Sequence, residues 1–501
     1  MTFRRTCWLL LALFLLSLIG LFSRAASFAG AASPISLAAQ TTAISPELAR
    51  KIEPALLKQM AKDKNATIPF IAQFEITVDM RAPVSANRVD QRRALVAQLQ
   101  AKAERSQANV LALLNARQAE RIRAFWSINA VAARADRQTI LGVAARPEVL
   151  LVKADHTRRL VNDELVLDDE HGVVTVDGGR SAIAPRPLVV SLLPLDAHAD
   201  ANSVAPDGIE WNILKIRADQ VWNAFNLDGS GVVVATLDTG VDWQHPALQS
   251  KYRGYRANGP PVHDGNWFDA TTLGALYPID DYGHGTHTMG TLVGGDAAHA
   301  IGVAPGAQWI SAKIFTNAGY ANDSWIHAAF QWIMAPAGDI SLAPDIVSNS
   351  WGDDNGSDTT FLADVEALRA AHILTVFANG NNGVDGSGTV ASPASFSNTV
   401  GVGAVDSNDR LAYFSAQGPS PLGGITKPDV SAPGLNVNSS APGGGYRVLS
   451  GTSMATPHIA GVAALVMQAA PGISIDQTLY DITSTAVPLS TTLPNNATGW
   501  G

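Results

Sequence analysis

From Ile209 to the end of the chain, short apolar runs alternate with helical patterns, and this alternation restricts the possible folds more than any other feature. Five runs, most of them continuous, are predicted to be strands buried on both faces: residues 231–237, 309–315, 345–350, 373–378 and 400–405. Helices are predicted between several of them, one capped by Asp323-Ser324 and running to Met334, another over residues 358–371. The pattern predicts a doubly wound α/β domain with a mostly parallel sheet, helices on both faces, and an active site at the carboxyl ends of its strands.

The preceding part of the chain has a different pattern. Apolar residues alternate between Ile68 and Val78, a helix without Gly or Pro is predicted over residues 90–123, and strand-like runs follow at 127–133 and 149–152. Residues 66–160 are therefore predicted to form a small α+β domain, with one or two long helices on a sheet. Residues 161–208 are rich in Asp, Pro, Gly and Ala, which predicts an extended linker that proteases cut easily.

The N-terminus has the pattern of an export signal. Arg4 and Arg5 precede an apolar stretch over residues 7–22, and Ala29-Gly30-Ala31 follows as a cleavage site. We predict a signal peptide over residues 1–31 and a secreted, extracellular product. The alternative is an uncleaved membrane anchor, but roughly 16 apolar residues fall short of the ~20 that span a bilayer. The single cysteine, Cys7, lies in this segment, so we expect the mature protein to depend on core packing or bound ions rather than disulfides.

Charge is distributed unevenly. Residues 88–160 contain 14 Lys and Arg against 6 Asp and Glu, whereas residues 209–501 contain 10 against 24. The two segments are either independently solvated or complementary surfaces that dock, and opposite fields would favour docking. The acidic segment is a poor partner for nucleic acid.

Three short motifs bring together the residue types of acyl transfer. A serine needs a base to take its proton, imidazole is suited to that role, and a buried carboxylate fixes the imidazole tautomer. The candidates are Asp238 in Leu237-Asp238-Thr239-Gly240, His284 in Gly283-His284-Gly285-Thr286-His287, and Ser453 in Gly451-Thr452-Ser453-Met454-Ala455-Thr456-Pro457-His458. Ser453 is expected to open a helix, whose N-terminus favours developing negative charge. Asn381, in a Gly/Asn-rich turn after a buried strand, is either an oxyanion donor or a turn residue.

Each motif also has another interpretation when it is taken singly. Asp-Thr-Gly occurs in aspartic peptidases, but no second such motif follows an apolar run to supply their second carboxylate. His284 and His287 are possible metal ligands, although the H-E-x-x-H pattern is absent. Ser453 is also an acceptable helix cap. The chain order Asp, His, Ser on an α/β pattern favours the nucleophilic site.

Residues 209–495 resemble the subtilase family of serine peptidases, and bacillopeptidase F-type members in particular. The resemblance is carried by residues 233–242, 284–295, 302–313, 350–352, 379–383, 451–461 and Phe414-Ser415-Ala416-Gln417-Gly418-Pro419-Ser420-Pro421. It implies a subtilisin-like fold, a catalytic triad of Asp238, His284 and Ser453, and an oxyanion amide from Asn381.

The resemblance also implies how a peptide binds. The substrate pairs as an added strand with two segments, Gly319-Tyr320-Ala321 and Ser350-Trp351-Gly352. The floor of the S1 pocket corresponds to Ala391 and Ala394, with Asn382 at its mouth. Since no carboxylate is expected there, we predict a preference for apolar P1 residues.

Two departures from the family are visible. His245-Pro246 is followed by Ala247 and Leu248 rather than a calcium-binding Asp, and residues 294–301 lack the usual calcium pattern. We expect that strong calcium site to be absent and the chemistry to need no cofactor or metal, although a structural calcium elsewhere stays open. The family commonly continues with a Gly-x-Gly turn and a final helix beyond Trp500-Gly501, so we expect the domain to be incomplete at its C-terminus.

Residues 66–160 more weakly resemble the inhibitory pro-domains of this family. The predicted order is a signal peptide (1–31), a pro-domain (32–160), a linker with the maturation cleavage (161–208) and a peptidase domain (209–501). The sequence thus predicts a secreted, self-processing serine endopeptidase that acts on proteins or peptides, with no stable membrane anchor. The alternatives are an esterase, which would be expected to carry G-x-S-x-G, and a silent binding protein, which would normally have lost a triad residue.

Overall fold

The computed structural model describes residues 44–63, 65–76, 87–160 and 208–501. The chain divides after Ser45, and the architecture below is that of the unit Pro46–Gly501. The predicted signal peptide, and the predicted linker up to residue 207, lie outside the described residues. Within the described segments, none of the helices has both the length and the apolar character needed to cross a membrane.

The N-terminal region (residues 46–160) is an antiparallel sheet covered by helices. Its strands are β1 (Ile68–Phe74), β2 (Glu120–Phe125), β3 (Ala130–Ala135), β4 (Val149–Ala154) and β5 (Thr157–Arg159); its helices are α1 (Pro46–Arg50), α2 (Pro54–Lys62), α3 (Arg88–Ala116) and α4 (Arg137–Ala144). The sheet order is β2-β3-β1-β4, with Ile68 opposite Ala135 and Phe70 opposite Ala154.

Two boundaries of the N-terminal region differ from the sequence predictions. The structured part begins before residue 66, because α2 buries Leu56 and Met60 in the core beneath β1 and β4. The long helix α3 ends at Ala116 rather than at 123. Gln118 has a φ of 54°, and the chain from Glu120 pairs with β3, so strand pairing competes with helix propagation there.

The C-terminal domain (residues 208–501) is a three-layer α/β structure. Its strands are β6 (Val233–Asp238), β7 (Trp267–Asp269), β8 (Gln308–Lys313), β9 (Tyr320–Asn322), β10 (Ile346–Asn349), β11 (Leu374–Ala378), β12 (Val400–Val405), β13 (Val430–Pro433), β14 (Val437–Ala441) and β15 (Gly445–Leu449). Its helices are α5 (Trp211–Lys215), α6 (Ala218–Phe225), α7 (His284–Val293), α8 (Asp323–Met334), α9 (Leu362–Ala370), α10 (Thr452–Ala469) and α11 (Ile475–Ser484). Short 3-10 turns lie at Gln249–Lys251, Pro336–Gly338, Ile340–Leu342 and Gly383–Asp385.

Seven of these strands form one parallel sheet in the order β13-β12-β11-β10-β6-β8-β7, which confirms the predicted fold class. Successive strand residues enter different cores: Val234 and Val376 pack with α7 and α10, whereas Ala235 and Phe377 pack with α8 and α9. This is why the strands are apolar throughout. β14 and β15 form a separate hairpin.

Two helix starts differ from prediction. Asn322, not Asp323-Ser324, is the N-cap of α8, and its side chain makes no capping hydrogen bond. Its Oδ1 accepts instead from Thr157 Oγ1 at 3.2 Å. Helix α9 begins at Leu362 rather than 358, because Asp358 caps a preceding turn by accepting hydrogen bonds from Thr360.

The N-terminal region packs on α8 and α9. Leu95, Val96 and Leu99 of α3 join the core that these helices cover. The buried guanidinium of Arg92 donates to the carbonyl oxygens of Ala371 at 3.0 Å, Ile340 at 3.3 Å and Ala343 at 3.5 Å. The contact thus combines apolar burial with satisfied polar groups.

Candidate active site

Asp238 is the last residue of β6, so its side chain emerges at the carboxyl edge of the sheet. Its Oδ1 accepts hydrogen bonds from the backbone N of Thr239 at 2.6 Å and from Nδ1 of His284 at 2.7 Å. Thr288 donates weakly to Oδ2 at 3.4 Å. Asp238 and His284 are 1% and 3% exposed, so this pair lies in a site with little solvent. The carboxylate therefore fixes the His284 tautomer with Nδ1 protonated.

Glycines allow the segment after β6 and the start of α7 to lie in close contact. A Cβ on Gly240, whose φ is 113°, would lie 1.8 Å from the carbonyl oxygen of Ile279, and one on Gly285 would lie 2.1 Å from that of Gly240. Asp280, which the sequence analysis missed, holds the start of α7 by accepting from Gly283 N and from the N and Oγ1 of Thr286. A carboxylate four residues before the His284 motif was the available signal.

Ser453 is the second residue of α10, as expected from the sequence. Its Oγ donates to the carbonyl oxygen of Ser350 at 3.1 Å, and Ser350 Oγ donates back to the carbonyl oxygen of Ser453 at 2.8 Å. Helix α10 packs against α7, which begins at His284. The structure thus brings the serine, histidine and aspartate motifs to one edge of the sheet.

Asn381 follows β11 and faces the start of α10. Its Oδ1 accepts from the N and Oγ1 of Thr452, at 3.0 and 2.8 Å. The amide nitrogen is therefore the end of the side chain oriented to donate elsewhere. Thr452, a second residue that the sequence analysis missed, fixes this orientation and also accepts from Gly380 N at 3.3 Å.

A pocket lies beside Ser453. It is lined by Leu160, Ser350, Trp351, Gly352, Asp354, Ala378, Gly380, Asn381, Ala391, Thr452 and Ser453. Among the predicted S1 residues, Ala391 belongs to this lining, whereas Ala394 is fully buried in the core and Asn382 is not part of the lining. Asp354 corrects the expectation that no carboxylate stands there. Burial raises the pKa of Asp354, against a hydrogen bond from Asn382 that lowers it.

The other predicted substrate segment is paired with the N-terminal region of the same chain. β5 runs antiparallel to β9, with Arg158 opposite Ala321 and Arg159 opposite Tyr320. The backbone N of Leu160 then donates to the carbonyl oxygen of Gly319 at 2.8 Å. The chain leaves the described residues directly after Leu160, at the pocket that contains Ser453.

The structure does not pair the two motif histidines in a common site. Nε2 of His287 donates to the carbonyl oxygens of Val437 and Arg447, both at 3.1 Å. This side chain therefore links α7 to the β14–β15 hairpin. Within the ranges that the structure describes, no group of three or more His, Cys, Asp or Glu has a metal-binding arrangement.

Comparison with known proteins identifies the family. The sequence profile of the Subtilase family matches residues 229–501, which include every element from β6 to α11. Because this match covers more than half of the chain, the chain belongs to the subtilase family of serine-type endopeptidases. The family and the fold predicted from the motifs are confirmed.

Individual relatives differ in how much of each chain they share. The chain is 40% identical to bacillopeptidase F of Bacillus subtilis (strain 168) over 432 residues, which are 82% of this chain and 28% of that protein. It is 35% identical to M-protease of Shouchella clausii (strain KSM-K16), covering 60% of this chain and 70% of the relative. It is also 35% identical to subtilisin Savinase of Lederbergia lenta, covering 57% and 93%.

Proposed function

We propose that this chain is the precursor of a secreted serine endopeptidase that cuts itself free of its N-terminal region. Asp238, His284, Ser453 and Asn381 carry the chemistry, and proteins or peptides are the substrates. The observation that carries the proposal is the position of Leu160: the chain's own strand pairs with β9 and ends at the pocket beside the nucleophile. Secretion rests on the signal pattern of residues 1–31.

The proposed reaction proceeds through an acyl-enzyme. Ser453 Oγ attacks the carbonyl carbon of the scissile peptide while His284 accepts the hydroxyl proton, and Asp238 stabilises the resulting imidazolium. The Asn381 amide and the N-terminus of α10 stabilise the oxyanion. The C–N bond then breaks, and His284 returns the proton to the leaving amine. Water hydrolyses the acyl-enzyme by the same route, which restores the Ser453 hydroxyl.

Substrate binding is proposed to repeat the pairing that β5 makes. A peptide strand added to β9 gains backbone hydrogen bonds at any sequence, and side-chain pockets supply selectivity. The pocket beside Ser453 favours an apolar P1 side chain because its lining is largely uncharged. Asp354 is a weak partner for a basic P1 side chain, because burial raises its pKa and so disfavours the charged form.

The N-terminal region is proposed to act as an intramolecular inhibitor until it is removed. Its strand β5 occupies the edge of β9 that a substrate needs, and α3 packs on the helices behind it. The first cut is expected within a few residues after Leu160, because the chain enters the nucleophile's pocket there.

The test is the variant Ser453→Ala, with Ser490→Ala as a control at an exposed serine. Ser453→Ala is expected to accumulate as a full-length precursor without peptidase activity. Wild type and Ser490→Ala should mature to a product whose N-terminus, read by mass spectrometry, lies just beyond residue 160. Normal maturation of purified Ser453→Ala would refute self-processing, and hydrolysis of peptides by that variant would refute the role of Ser453.

A further inference from the structure

The side chain of Arg158, on β5, makes several contacts with the C-terminal domain in addition to the backbone pairing of that strand. The guanidinium of Arg158 donates from Nε to Asp323 Oδ1 at 2.6 Å and from Nη2 to Asp323 Oδ2 at 3.2 Å, which is a bidentate contact. Its Nη1 donates to Asp358 at 2.7 Å and also to Asp353. The guanidinium carbon lies 5.6 Å from the centre of the Phe361 ring. Three carboxylates and one aromatic face thus enclose a single cation.

The carboxylates belong to the C-terminal domain and are built into it. Asp323 opens α8 and is 1% exposed, while Asp353 and Asp358 lie in the loop after β10 and are 34% and 19% exposed. Asp353 Oδ1 accepts from Asn355 N, and Asp358 Oδ1 accepts from the N and Oγ1 of Thr360. These bonds hold the carboxylates in place while the opposite oxygens of Asp353 and Asp358 face the guanidinium. We call these three carboxylates the acidic pocket.

The Arg and Lys side chains described beside the acidic pocket come from the N-terminal region, while on α8 the pKa of His327, which burial lowers, is raised by the charges of Asp364 and Asp323. Arg158 makes the ion pairs, and Lys153 lies alongside, donating to Thr360 Oγ1 at 3.3 Å. Among the described residues of the C-terminal domain, no Lys or Arg is recorded in an ion pair with the three carboxylates. Removal of the N-terminal region therefore takes away the guanidinium that contacts both oxygens of Asp323 and leaves the place it occupied to another cation.

The electrostatics agree with a site fitted to a cation. Burial by itself lowers the pKa of Arg158, but the hydrogen bonds and charges of Asp323 and Asp358 outweigh it and raise the pKa. Burial raises the pKa of Asp358, yet Thr360 and Arg158 bring it below its ordinary value.

We propose that the acidic pocket is a substrate subsite for arginine. In a bound substrate, this arginine takes the place of Arg158, two residues before the residue that takes the place of Leu160. This inference rests on the proposed peptidase function. Since β5 binds β9 through its backbone, a substrate strand in the same register places its own side chain where Arg158 lies. The planar fork fits the bidentate carboxylate of Asp323 and stacks on Phe361, so lysine is a weaker ligand than arginine.

The test uses peptides with the chain's own sequence over residues 153–168, so that the register is known. Mature wild-type enzyme is assayed on this peptide and on versions with Arg158→Gln, Arg158→Lys and Arg159→Gln, and each cut is mapped by mass spectrometry. Arg159 is exposed in the same strand and serves as the matched control. Gln in place of Arg158 is expected to lower kcat/KM at least about tenfold, Lys less, and Gln in place of Arg159 only slightly.

Enzyme variants assign the effect to the acidic pocket. In Asp353→Asn and Asp358→Asn, which avoid the buried Asp323, the ratio of kcat/KM between the unchanged peptide and its Arg158→Gln version should fall several-fold towards one. Asp481→Asn, on α11, removes the same charge outside the pocket and should keep the wild-type ratio. Equal cleavage of all peptides by wild type, or an unchanged ratio in both pocket variants, would overturn the subsite. If wild type cut none of the peptides at all, the peptidase proposal itself would fail.

Discussion

Asn381 illustrates how a residue role depends on its neighbours. Its sequence context, a Gly/Asn-rich turn, fits an ordinary turn equally well. In the structure Thr452 donates twice to its Oδ1, so the amide nitrogen is directed away from Thr452. That orientation is the property an oxyanion donor needs, because it is fixed before the reaction.

At this scale we predict that Asn381→Leu lowers kcat by ~10²–10³ with little change in KM, since the lost bond forms mainly in the transition state. Steady-state kinetics on one peptide measures both constants. Asn408→Leu, at an exposed turn, is the control and should leave both constants unchanged. A change confined to KM would make Asn381 a binding residue instead.

Lys251 connects two loop segments through hydrogen bonds to their backbone. Its ammonium donates to the carbonyl oxygens of Gly295 at 2.6 Å and Ala247 at 3.1 Å. Lys251 thus connects the two segments in which the sequence lacks the family's calcium ligands, the one after His245-Pro246 and residues 294–301. Burial lowers the pKa of Lys251, and the charge of Asp296 opposes this. We infer that this protein cation stabilises the two segments without a bound metal.

At the level of elements, Lys251→Met is therefore expected to destabilise the domain by ~1–3 kcal/mol, because it removes two hydrogen bonds from a charged donor, to the carbonyl oxygens of Ala247 and Gly295. Thermal unfolding in the inactive Ser453→Ala background measures the change, and Lys215→Met, at a surface pair with Asp409, is the control. EDTA should not alter the unfolding temperature of the Ser453→Ala protein that retains Lys251. A drop of several degrees with EDTA would reveal a structural metal elsewhere.

For the whole molecule, buried neutral histidines tie stability to pH. Burial lowers the pKa of His287 to about 3 and that of His458 to about 4. His458 is held in α10 by Nδ1 donating to the carbonyl oxygen of Met454, and its Nε2 contacts Asn212 of α5, both at 2.8 Å. At mildly acidic pH these two histidines therefore bind protons in the unfolded chain but stay neutral in the folded chain.

The sign follows from these lowered pKa values. The contribution to stability is present above the ordinary histidine pKa of about 6.5 and is lost as pH falls towards 4. We predict that denaturant unfolding of Ser453→Ala shows a loss on the order of 2 kcal/mol per histidine across that range. His458→Gln should be less stable at neutral pH but show a shallower pH slope, whereas His299→Gln, at a partly exposed site, should keep the wild-type slope. An unchanged slope in His458→Gln would contradict this account.

The sequence by itself determined the features whose causes are local. Continuous apolar runs mark buried parallel strands, so β12 was predicted at its observed bounds and β6, β8, β10 and β11 within two residues. The residue types of the three motifs, and their order along the chain, were equally readable because acyl transfer needs them.

Only the tertiary structure decided which distant residues meet. Arg158 joins carboxylates 165 to 200 positions away, Lys251 reaches a carbonyl 44 positions away, and Asp354 enters a pocket that was expected to lack a carboxylate. The early end of α3 and the late start of α9 have the same origin, since strand pairing and a capped turn replaced helix propagation. Such contacts leave no periodic or compositional trace, because each partner is an ordinary surface or loop residue until the fold places the other beside it.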